Sequence, residues 1–262
     1  MSVVLASGDG FVAPSTEDFF LPPIIDGIDW LTKPIVLAFL SIVIIIGFYW
    51  AAARNTKLVP GRLQFTGELV YDFVRGGIGR DLIGSRDYKP FVPLLFSLFT
   101  FILVNNVFGV TPLIYFPTMS KIGFPLALAL IVLVVYNVVG IRRAGFLTYF
   151  KDVMFIPGVP KFVYPILAPI ELLTVLFIRP FTLTLRLFAN MFAGHMLLLV
   201  FILGSDYMIF EIANPALKGA GLLTGAFAVF FTFFELFVEF FQAYIFALLT
   251  ALYISGAVSE GH

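Results

Sequence analysis

Two stretches of this chain set ionisable and amide side chains among residues as apolar as a lipid tail. "LTLRLFANMFAGHMLLL", residues 183–199, carries Arg186, Asn190 and His195, and "FFELFVEFFQAY", residues 233–244, carries Glu235, Glu239 and Gln242. Histidine and carboxylates exchange protons near neutral pH, whereas a guanidinium effectively never does. The chemistry open to this set is proton transfer along the titratable groups, ended by a fixed positive charge. Groups of this kind are tolerated at membrane depth where they face a cavity or a partner.

Helical geometry arranges them. At 100° per residue Arg179, Arg186 and Asn190 share a face, while His195, nine residues beyond Arg186, points the other way and lies about 13 Å further along. Glu235, Glu239 and Gln242, spaced four and three, form a second stripe. In an antiparallel hairpin, residues at one depth have position numbers with a constant sum. The pairs Arg186 with Gln242, Asn190 with Glu239, and His195 with Glu235 agree in that sum to within about two residues, and their midpoint falls on Asn214 and Pro215, a turn signal in its own right. The polar residues therefore line up in levels, with Arg186 and Gln242 innermost and the titratable groups between them and the outside.

The elements that must carry them are membrane helices. Of 262 residues 60% are hydrophobic and only 12% charged, more apolar than a soluble core requires. Formal net charge is zero, which suggests neither a nucleic acid nor an anionic substrate. There are no cysteines, and the histidines are His195 and His262, so disulfides, thiolate chemistry and a metal cage of protein ligands are not expected. The start, "MSVVLASGDG", lacks the basic region and apolar core of a signal peptide and the arginines of a transit peptide.

Apolar runs predict an all-α multispanning protein with five membrane helices, at about 34–53, 91–110, 124–141, 166–203 and 219–255, forming one membrane domain over 34–262 behind an external segment 1–33. Residues 61–80 predict an amphipathic helix on the membrane surface, with Leu63, Val70, Phe73, Val74 and Ile78 opposite Arg62, Glu68, Asp72 and Arg75. The last two helices are long: roughly 37 residues extend about 55 Å, so they should tilt or protrude as an antiparallel hairpin joined by the polar turn "GSDYMIFEIANPALK". Pro165, Pro169 and Pro180 should kink the first of them or delay its start. Arg54, Lys57, Arg62, Arg75, Arg80, Arg86, Lys89, Arg142, Arg143, Lys151 and Lys161 fall on one side and Lys33, Lys121 and Lys218 on the other, which places the N-terminus outside and the C-terminus in the cytoplasm.

Each polar residue also has a purely structural reading. Arg186 can snorkel or pair with Glu239, and His195 can be a hydrogen-bonded core residue. Asn105 and Asn106 can bond across helices. Glu171 can cap or snorkel near the inner surface, and Arg179 is expected to snorkel. An independent proton-coupled secondary transporter is the alternative function, but inverted repeats and broken helix pairs are not evident. An intramembrane enzyme would need a metal motif or nucleophile that the sequence does not offer.

"LTLRLFANMFAGH" (183–195), "FFQAYIFALLTALYIS" (240–255), "RP" at 179–180 and "FILVNNVFGVTP" (101–112) together resemble subunit a of F-type ATP synthases, nearly throughout from residue 34. The resemblance implies a non-catalytic, proton-translocating stator subunit with two half-channels that meet a rotating ring of c subunits, each bearing a carboxylate. It implies Arg186 as the stator arginine, Gln242 as its companion, and His195 with Glu235 in the outer half-channel; Asn190, Glu239 and Asn105 are expected to join that half-channel and Glu171 the inner one. His195 and Glu235 match an exchange within the family in which carboxylate and histidine occupy either position. Ala189 stands where bacterial members commonly have glycine, Glu171 is one residue from the usual carboxylate position, and Glu239 is an additional acid. Expected partners are the c-ring, peripheral-stalk b-type subunits, the bilayer and the transported protons, with no cofactor. A bacterial plasma membrane is expected ahead of a mitochondrial inner membrane.

Overall fold

The computed structural model describes residues 11, 13–15, 19, 22, 27, 31–54, 56–112, 114–155, 160 and 162–259. Most of the predicted external segment, with Glu17, Asp18, Asp26 and Asp29, lies outside the described residues, as do Lys161 and His262.

Five helices are long and apolar enough to cross a membrane. Helix α1 is Lys33–Ala53, opened by Pro34 in its first turn, where a missing N–H costs nothing. The amphipathic segment forms α2, an α-helix over Arg62–Asp72 that runs through π-helical Phe73–Arg80 into Asp81–Ile83. Helix α3 is Val92–Val110, and α4 is Gly123–Ala144. The latter passes the expected end at 141 because Arg142 and Arg143 suit the negative end of the helix dipole, and Gly145, at φ +83°, stops it. A short helix α5, Phe146–Met154, follows.

Helix α6, Tyr164–Glu211, is helical over 48 residues, about 72 Å at 1.5 Å per residue and more than twice a bilayer's hydrocarbon thickness. Pro165 lies in its first turn and Pro169 inside it. Before Pro180 the helix widens to π-geometry over Thr174–Ile178, so the proline's missing N–H falls where the normal ladder is already interrupted. Helix α7, Pro215–Ser259, adds 45 residues.

The turn between α6 and α7 is tighter than the polar stretch suggests. Residues 204–211 remain helical, ending in a π-turn at Tyr207–Glu211, and only 212–214 break the chain. The reversal nevertheless falls on Asn214 and Pro215. Asn214 Oδ1 accepts a hydrogen bond from the Ala216 N–H at 3.0 Å, capping α7, and Pro215 is its first residue. Register along the hairpin follows the constant sum: Ser205 Oγ donates to the Gly221 carbonyl at 2.8 Å, and the Phe201 ring lies 4.9 Å from that of Phe231.

Helix α7 is central. Its half remote from the turn packs on α3, α4 and α6 through Ala243, Phe246, Ala247, Ala251 and Ile254, and the small residues let the backbones approach. Among the long helices, α1 packs chiefly on α3.

Helix α2 does not simply lie on a membrane surface. Val74 and Ile78 are fully buried and Phe73 stacks on Phe99, Phe240 and Tyr244, so the segment is packed into the bundle against α3 and α7. Leu63, placed by periodicity on the apolar face, is exposed, while Gln64 and Gly67 are buried because the helix crosses α1, where a Cβ at Gly67 would sit 3.3 Å from Ala52 Cβ.

Candidate functional site

The two faces of α6 separate the polar residues. Pro180, Leu183, Thr184, Leu187, Met191, His195 and Leu198 form a buried stripe at helical spacing. Arg186, Ala189 and Asn190 lie on the opposite, exposed face. Arg186 stands close to the midpoint of α6 and forms no salt bridge with the described residues. The structural pairing with Glu239 is absent: Glu239 is 0% exposed, and its carboxylate approaches Gly109 of α3, where a Cβ would lie 3.2 Å from Oε1. Asn190 and Glu239 therefore share a level but not a neighbourhood, because depth is fixed by hairpin register and direction by rotation about each axis.

Glu235 reaches the helix that carries His195, at the glycine next to it in sequence. Glu235, buried on α7, seats its carboxyl over Gly194 of α6, at 2.8 Å from the position of a Cβ there. His195 is 4% exposed, edge-on to the Phe19 ring at 5.6 Å and against the Tyr115 ring at 4.8 Å. Part of the N-terminal segment thus packs into the bundle.

A second polar group adjoins through α3. Asn106 Nδ2 donates to the Glu239 carbonyl at 3.3 Å, and Asn105 Nδ2 donates to Ser41 Oγ of α1 and to the Phe101 carbonyl, both at 2.8 Å. Buried polar atoms in folded proteins are usually paired. Here the Oδ1 atoms of Asn105 and Asn106, the Tyr115 hydroxyl, Thr118 Oγ1, His195 Nδ1 and all four carboxyl oxygens of Glu235 and Glu239 have no hydrogen-bond partner among the described residues. Such a set can be served by water and can hand a proton along it.

Gln242 is buried beside Ala243 on α7, and no hydrogen bond joins it to Arg186. Arg179 is half-buried among aromatic rings. Its guanidinium lies over the rings of Tyr253 at 5.1 Å and Tyr136 at 5.9 Å. Tyr136 in turn donates to the Val175 carbonyl in the π-turn, tying that irregular stretch of α6 to α4. Glu171 is half-buried near the start of α6, about 22 Å along the helix from Arg186, and the buried polar set does not reach it.

A family model described as ATP synthase A chain matches residues 35–255. The chain is 44% identical over 268 residues to ATP synthase subunit a of Nocardioides sp., covering 98% of this chain and 96% of that one. It is 46% identical over 266 residues to ATP synthase subunit a of Parafrankia sp., covering 99% and 88%. The chain belongs to the ATP synthase A chain family.

In this family member several residues of the site escape a reading of the sequence. Gly194 and Gly109 give room to carboxylates, which two glycines inside membrane helices could have signalled. Tyr115, in the connection between α3 and α4, has φ +40° and turns its ring onto His195. Burial first, and the charge of Glu235 second, push its phenol up to about 12. Nothing in the spacing of "LIYFPTMSK" announces that contact.

Proposed function

We propose that the chain is the proton-translocating stator subunit of an F-type ATP synthase, lying in a bacterial plasma membrane with its N-terminus outside and its C-terminus in the cytoplasm. The observation that carries this reading is Arg186, exposed and unpaired halfway along α6 while the titratable groups are buried on the other face. A guanidinium exposed at such depth calls for an anionic partner from another chain. A carboxylate on each helix of a rotating c-ring supplies it.

Protons enter from the outer side, where His195, Glu235 and Glu239, with Asn105 beside them, form the buried polar set. A proton reaches an ionised ring carboxylate held near Arg186. Protonation cancels the charge attraction, and the neutral carboxyl moves into lipid. Nearly one revolution later it meets the inner path, to which Glu171 belongs, and ionises again. Arg186 favours the ionised form at the interface, and its fixed charge blocks direct leakage between the half-channels. Gln242 stands at the arginine's level, and Asn190 shares its exposed face. Each charge crossing 100 mV yields about 2.3 kcal/mol, so several per turn can drive ATP synthesis in other subunits, while this chain itself catalyses no bond-making step. Peripheral-stalk b-type subunits hold it against the ring's torque.

The chain has no cysteine, so one introduced on the Arg186 face is unique. Ala189→Cys should form a disulfide with a cysteine placed beside the ring carboxylate in assembled complexes. Failure of this pair to crosslink, with efficient crosslinking from a buried position such as Met191→Cys, would overturn the interface.

A further inference from the structure

The proposed outer path has acceptors in excess. Among its buried unpartnered atoms, the Asn105 and Asn106 carbonyl oxygens and the carboxylates of Glu235 and Glu239 accept, and the hydroxyls come from Tyr115 and Thr118. Both belong to the connection 111–122, which folds back onto α6. That connection is fastened from several sides. Lys33 Nζ donates to the Ile114 carbonyl at 2.8 Å and lies 5.5 Å from the Phe116 ring, and the Phe116 ring packs on Phe19. The Tyr115 N–H donates to the Thr111 carbonyl at 2.8 Å.

Held in this way, Tyr115 adopts φ +40°, which a non-glycine residue takes only where its surroundings force it. What the backbone gains is direction: the ring lies against His195, and the hydroxyl is carried into the buried region. The geometry points to Tyr115 as a positioning residue of the outer proton path, its ring fixing the His195 imidazole and its hydroxyl offering a hydrogen bond to the acceptors around Glu235. This rests on the assignment of His195 and Glu235 to that path. The phenol stays protonated throughout the physiological range, so it orients and donates without carrying the translocated proton as a phenolate. The groups facing it that titrate or carry charge are His195 from α6, Glu235 from α7 and, acting on His195, Lys33 from α1.

The test uses membrane vesicles containing the complete ATP synthase, comparing the parent with Tyr115→Phe, Tyr115→Ala, His195→Ala and Glu235→Ala. Because the hydroxyl has no partner within the described fold, Tyr115→Phe should assemble in the parent's amount. Its ATP-driven pumping per complex should fall about five- to tenfold, as for one lost hydrogen bond, with a displaced pH profile. Tyr115→Ala, lacking the ring as well, should be slower still. Adding Tyr115→Phe to Glu235→Ala should slow it little further, since the hydroxyl acts through that carboxyl. Parental rate and pH profile per complex in Tyr115→Phe would overturn the role, as would a loss explained entirely by fewer assembled complexes. If His195→Ala and Glu235→Ala themselves pumped normally, the outer path and this role would fall together. If those two were impaired and Tyr115→Phe were not, only the role of Tyr115 would fall.

Discussion

The Glu235 carboxyl rests on the bare backbone of Gly194: a Cβ at that glycine would stand 2.8 Å from Glu235 Oε1 and 3.2 Å from its Cδ. The residue before His195 thereby sets how near the carboxyl can approach the imidazole's helix. Gly194→Ala should displace the carboxyl rather than unfold the hairpin, because the colliding atom is the far end of a flexible side chain. Proton pumping in vesicles is expected to drop about tenfold with normal assembly, in line with the rate cost of a reacting group displaced by about 1 Å or less. A variant that pumps at the parental rate would show that the position of Glu235 does not limit proton access.

Arg186→Ala removes the exposed mid-membrane charge. Coupled ATP synthesis should vanish, while passive proton leak through the complex should persist or rise, since the electrostatic stop between the half-channels is gone. Vesicle ATP synthesis and dye-quenching leak assays read the two separately. Normal ATP-driven pumping in this variant would contradict the mechanism.

Glu239 is wholly buried between α7 and α3, far from the exposed face that carries Arg186. Glu239→Gln keeps its shape but removes its proton-exchanging group, and is expected to slow pumping severalfold, less than the loss of a sole acid–base group because Glu235 and His195 remain to exchange protons. If Glu239 serves only to pack against Gly109, the amide will support the parental rate.

Gly140 tests the frame instead of the path. A Cβ there would fall 2.2 Å from the Tyr149 ring, whose hydroxyl donates to Asn137 Oδ1 at 3.1 Å. Gly140→Ala should cost about 1–3 kcal/mol by forcing α5 away from α4. The readout is a lower melting midpoint of the detergent-solubilised complex, with pumping per surviving complex unchanged.

Much of this arrangement could be read without coordinates. Membrane helices need runs of apolar residues, and helical rotation fixes which positions share a face, so the five spans and the opposite faces of His195 and of Arg186 with Asn190 followed from spacing. The reversal at Asn214 and Pro215 followed too, because Asn caps a helix and Pro opens one. The contact of Arg179 with the faces of Tyr136 and Tyr253 was not legible, since both rings come from other helices. The burial of Gln64 and Gly67 was not legible either, because packing against α1 sets that face of α2.

The sequence by itself determined the class of protein, its spans and which polar groups share a helix face, because these depend on local geometry and the apolar solvent. Tertiary structure decided which groups meet. It set Glu235 on Gly194, turned Glu239 towards Gly109 and away from Asn190, and brought Tyr115 from a distant connection onto His195. Those contacts depend on how helices rotate and cross against one another, and that is fixed by the packing of all of them together.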